Sequence, residues 1–145
     1  MKKSSIIYYL LSVIFFAACT PQDHLTILHT NDTHSQVEPL DNNQGGYARR
    51  MGMIAEERKA DKNLLLVDAG DFCEGTPYFN YYHGRVELEA MNRMRYDAAT
   101  LGNHEFDNGL DTLAVALRTA KFPIVCANYD FTGTALEGLV KPYTI

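Results

Sequence analysis

Apolar and polar positions along the chain alternate between two periods. Short, partly β-branched apolar runs at residues 25–30 (LTILHT), 63–70 (NLLLVDAG), 96–102 (YDAATLG) and 122–128 (FPIVCAN) each end in small or polar residues, which predicts strands. Between them the period lengthens. In residues 47–60 (YARRMGMIAEERKA), Tyr47, Met51, Ile54 and Ala55 recur on one helical face, while Arg49, Arg50, Glu56, Glu57 and Arg58 fall mostly elsewhere. Residues 86–94 align Val86, Ala90, Met91 and Met94, and residues 109–120 align Leu110, Leu113 and Leu117. Both read as helices, the second with an Asn or Asp just ahead of it as its cap. EPLDNNQGG reads as a turn-rich loop, and FCEGTPYFNYYH as an aromatic-rich loop packed against the helix that follows it. The order βαβαβαβ favours an α/β fold, with a mostly parallel sheet and crossover helices. The last residues, LVKPYTI, alternate like a strand just beginning.

The first 18 residues depart from this pattern. Lys2 and Lys3 precede an apolar run over residues 6–18 that is broken only by Ser12. The run is shorter than the ~20 residues a spanning helix needs, so it reads as a secretory signal peptide. Cys19, directly after Ala17 and Ala18, resembles the cysteine of a bacterial lipobox, with Phe16 where that pattern prefers Leu. The resemblance implies a lipidated Cys19, a tether over residues 19–24, and a protein of the cell envelope, periplasmic or held to the outer membrane by its lipid.

At 145 residues the chain has room for one domain with a core. Its formal charge is −5, and −7 once Lys2 and Lys3 are removed with the leader. No stripe of Lys and Arg is present, which argues against nucleic acid as a partner. A small anionic substrate would need local positive charge that the side chains do not obviously supply, and a bound metal would supply it. Cys73 and Cys126 offer one possible pair, which is no disulfide framework, and they read as two semi-buried thiols.

Open sheets of this kind bind ligands outside the carboxyl ends of their strands. Asp32 and His34 follow the first strand, Asp71 the second, and Asn103, His104 and Asp107 the third. If strand geometry persists past the first run, Asp32 and His34 leave one face together, and a carboxylate beside an imidazole can hold a divalent transition metal. Asp71 follows a glycine, where the backbone can turn sharply. The Asn103 amide oxygen is a neutral ligand, and Asp107 lies three residues beyond His104, within reach of its imidazole. A carboxylate that orients an imidazole fixes its tautomer and raises its pKa. Each cluster alone also fits a turn or a cap.

Taken together, LHTNDTHS, DAGDFCEGT, MNRMRYDAATLGNHEFDNG and FPIVCANY resemble the calcineurin-like metallophosphoesterases, in detail their 5′-nucleotidase branch, from about residue 25 to the last residue. Glu105 stands where many of the wider superfamily carry Asp, as is usual in that branch. The resemblance implies that residues 25–145 are the N-terminal part of a domain built as an αββα sandwich. It also implies two divalent ions, zinc or manganese, with Asp32 and His34 on the first, Asp71 bridging, and Asn103 on the second. His104 and Asp107 would form the catalytic dyad, acting on a small nucleotide or other phosphate ester without a covalent nucleophile. No G-x-S-x-G is present.

The family draws further ligands from G-H and G-H-x-H motifs, which the five histidines (His24, His29, His34, His83, His104) do not match. The expectation is therefore an incomplete catalytic domain, a fragment or one piece of a split protein whose missing half a separate chain supplies. Alone, it would bind metal weakly and show little activity. Two rival readings are a non-catalytic surface lipoprotein or inactive truncated product, and a cyclic-nucleotide phosphodiesterase or thiosulfate-ester hydrolase on the same scaffold.

Overall fold

The computed structural model of the chain describes residues 24–145. The leader and Cys19 lie outside the described residues. Strands β1 (Thr26–Thr30), β2 (Leu64–Asp68), β3 (Ala98–Ala99), β4 (Ile124–Val125) and β5 (Val140–Lys141) form one sheet in that order. Every pair is parallel, in registers such as Leu28 with Leu66, Asp68 with Ala99 and Ile124 with Val140. The expected α/β architecture holds, with a fifth strand: the final apolar alternation joins this same sheet beside β4. The strand order never reverses, so right-handed crossovers place the connecting helices on one face. Burial agrees, since Leu64, Leu66, Ala99 and Ile124 are buried while Ile27, on the opposite face, is 59% exposed.

The helices are α1 (Tyr47–Ala60), α2 (Pro77–Tyr82), α3 (Arg85–Met94) and α4 (Leu110–Leu117). In α1 only Tyr47 and Ile54 of the expected face are buried, and Met51 and Ala55 stay exposed. In α3 the buried stripe is turned from the expected one: Glu87, Leu88, Met91 and Met94 face the core, and Val86 and Ala90 are half-buried. Helix α2 replaces part of the expected aromatic loop. Pro77 starts it where a missing N–H costs nothing, and Phe79 enters the core while Tyr81 and Tyr82 face solvent. The expected Asn or Asp cap of helix α4 does not form: its N-cap is Gly109, which has no side chain to offer, and Asp107 pairs with His104 instead.

Leu66, Phe72, Leu88, Met91, Leu113, Leu117, Ile124 and Leu136 are among the core residues. Cys73 and Cys126 are free and buried. His24 pairs with Asp61 at 3.1 Å rather than standing in a bare tether.

Candidate metal centre

The site is built from the turns that leave β1, β2 and β3. At the end of β2 the buried Asp68 accepts the Gly70 N–H on Oδ1 at 2.9 Å and the Thr30 hydroxyl on Oδ2 at 2.5 Å. Gly70 then takes φ +100°, and a Cβ there would lie 2.5 Å from the Gly102 nitrogen. Two loops thus meet backbone to backbone, which only glycine permits. The β1 turn runs alongside. The Asp32 N–H donates to the Gly70 carbonyl at 3.1 Å, and the His34 N–H to the Asp71 carbonyl at 3.0 Å.

The expected period-two geometry of Asp32 and His34 does not occur. The strand ends at Thr30, and Asp32, His34 and Ser35 adopt left-handed φ of 51°, 41° and 49°. Asp71 and Glu74 are left-handed too, at 52° and 77°. Such conformations are unfavourable for non-glycine residues and cluster at functional sites. Here they turn the side chains toward one another. Ligand atoms of Asp32, His34 and Asp71 all lie within 4.8 Å of one another.

The third turn completes the surface. The His104 N–H donates to Asp71 Oδ1 at 3.0 Å, and the His104 ring meets the His34 ring edge-on at 5.1 Å between centroids. His104 begins a 3₁₀ turn (His104–Phe106), which carries Asp107 under the imidazole. His104 Nδ1 donates to Asp107 Oδ2 at 2.8 Å. This hydrogen bond raises the His104 pKa above the usual histidine range; partial desolvation opposes it, and the charges of Asp107, Asp71 and Glu74 add to it. Asn103 is exposed and stands between Gly102 and His104, both of which touch Asp71.

Glu74 is a site residue that sequence reasoning missed. Its Oε2 lies 3.7 Å from His34 Nδ1, and Glu74, His34 and His104 form a second group with ligand atoms within 4.8 Å. Nothing in its spacing marks it, because the left-handed turn after Asp71 brings it inward.

The clustered donors, carboxylate oxygens and imidazole nitrogens, fit divalent transition metals. The calcineurin-like phosphoesterase family model matches residues 25–141. The chain belongs to the calcineurin-like phosphoesterases. Among phosphoesterases of this family it is similar to the snake venom 5′-nucleotidase of Naja atra, 46% identical over 83% of this chain and 25% of that protein. It is likewise 43% identical to the human 5′-nucleotidase, again over 83% of this chain. The crystal structure of a 5′-nucleotidase precursor from Thermus thermophilus superposes with a TM-score of 0.76 at 44% identity, over 83% of this chain. The Haemophilus influenzae NAD nucleotidase superposes with a TM-score of 0.75 at 35% identity. The chain spans about a quarter of the length of these relatives.

Proposed function

We propose that this phosphoesterase chain carries metal-binding and catalytic residues of a 5′-nucleotidase-type hydrolase that removes phosphate from nucleotides outside the cytoplasm. One observation carries the reading: carboxylates and imidazoles from three successive strand ends converge beside a carboxylate-bound histidine. Asp32 and His34 would hold the first of two divalent ions, Asp71 would serve both, and Asn103 would hold the second. Zinc or manganese suits the donors. When bound, the ions supply Lewis acidity toward phosphoryl oxygen and a nucleophilic water near neutral pH.

The chain's own residues supply the rest. Asp107 accepts a hydrogen bond from His104 Nδ1, so Nε2 is the ring nitrogen left for substrate. The raised pKa favours the protonated ring, whose Nε2–H can donate to the phosphoryl group as negative charge grows on its oxygens. The Asn103 amide adds no negative charge, which favours an anionic substrate. Phosphoryl transfer asks mainly for positioning and charge neutralisation, so no covalent nucleophile is needed. Cys73 is unsuited to that role, since burial and the neighbouring Glu105 and Glu87 carboxylates push its thiol pKa up.

A leader over residues 1–18 and a lipidated Cys19 would carry the protein to the cell envelope. The likeness to the Haemophilus NAD nucleotidase supports a second substrate reading, in which a dinucleotide is the phosphate ester. Release of phosphate from AMP, dependent on added manganese or zinc and abolished by His104→Ala in the whole protein, tests the main reading. Cleavage of NAD at its pyrophosphate, giving AMP and nicotinamide mononucleotide, without release of phosphate from AMP would favour the second.

A further inference from the structure

Glu105 is buried, 2% exposed, in the middle of an otherwise polar and open turn. Its carboxylate does not face the site. It points inward and accepts three backbone N–H groups: Asp71 at 3.0 Å and Gly102 at 2.6 Å on Oε2, and Cys73 at 3.0 Å on Oε1. Two of those donors belong to the β2 turn and one to the β3 turn, some thirty residues apart in sequence. Bonds to an ionised acceptor are shorter and stronger than neutral ones, so one side chain fastens two loops. The Cys73 sulfur in turn lies against Gly84, where a Cβ would sit 3.1 Å away, which ties the same loop to the start of α3.

Asp71 therefore sits between two fixed points. Its N–H is held by Glu105, and its Oδ1 accepts the N–H of His104, the residue before Glu105. Its backbone is left-handed, which costs a non-glycine residue some energy even though Asp tolerates it better than most, and these bonds hold it there. We propose that Glu105 is a positioning residue for the metal centre, acting through the Asp71 backbone to set where the Asp71 carboxylate stands between His34 and His104. The inference rests on Asp71 as a shared metal ligand. Glu105 itself touches neither ion nor substrate.

The His104 amide separates this from a purely structural role, because it contacts Asp71 and not Glu105. Hydrogen exchange by NMR on the metal-free chain compares wild type with Glu105→Gln, which keeps shape but sets an N–H₂ against at least one amide donor. Positioning predicts faster exchange at His104 as well as at Asp71, Cys73 and Gly102, and manganese affinity at least tenfold weaker at unchanged secondary structure. Loss of protection confined to residues 71, 73 and 102, with manganese affinity within twofold of wild type, would overturn it. If Glu105→Gln does not fold, Glu105→Asp, a retained charge on a shorter stem, carries the same comparison. If wild type binds no manganese, the metal reading of the site fails, and the His104 amide alone then decides the role of Glu105.

Discussion

Gly70 and Gly102 lie so close that a Cβ on Gly70 would reach to 2.5 Å from the Gly102 nitrogen, and a Cβ on Gly102 would collide with Asp71 Oδ1. This contact brings the ends of β2 and β3 together, and through Asp71 and His104 it places the third turn against the first. The functional turn is thus bought with side-chain volume at two positions.

Gly102→Ala is the direct test of that contact. The added methyl must displace the Asp71 carboxylate or the loop, and overpacking of this kind costs about 1–3 kcal/mol. Urea denaturation should report that loss, and manganese binding should fall further than stability does. A variant as stable as wild type with intact metal binding would show that the loops have slack.

The His104–Asp107 pair has a pH signature. His104 has its pKa raised in the fold, chiefly by the Asp107 hydrogen bond. A group whose folded pKa is raised adds stability that is fully present below its unfolded pKa, about 6.5, and is lost as pH rises through the folded value. Asp107→Asn should lower the His104 midpoint in an NMR titration of the metal-free chain. The stability difference between the two proteins should be larger at pH 6 than at pH 9. An unchanged midpoint would contradict the pairing.

Glu87 is fully buried in α3, and neither carboxylate oxygen has a hydrogen-bond partner among the described residues. An unsatisfied buried polar group costs about 1–3 kcal/mol, and an apolar side chain of similar length removes that cost. Glu87→Met should raise the denaturation midpoint. A lower midpoint would mean that the carboxylate is satisfied within the folded protein.

Much of this arrangement is legible in the sequence, and the rest is hidden for physical reasons. Alternating periods find the strands and three of the four helices, and polar residues at the strand ends locate the site. The approach of Asp107 to His104 follows from their spacing, as the 2.8 Å bond bears out. The period-two expectation for Asp32 and His34 fails because the chain leaves the sheet at Thr30 and turns left-handed, a state no hydrophobic pattern encodes. Helix α2 is hidden by its aromatic composition and brevity. The burial of Glu87 and Glu105 stays hidden because a carboxylate in a sequence reads as surface, and the approach of Glu74 to His34 because a left-handed turn sets it.

In the proposed site the ends of β1, β2 and β3 share divalent cations. Paramagnetic broadening of the ¹⁵N-labelled chain by manganese tests it most directly, because broadening also reads weak sites. Signals of Asp32, His34, Asp71, Asn103 and His104 should broaden first, and Asp32→Asn should weaken the effect at His34 and Asp71. Broadening that begins at other carboxylates, such as Asp61 and Asp97 at the opposite end of the sheet, or that is indifferent to Asp32→Asn, would contradict it.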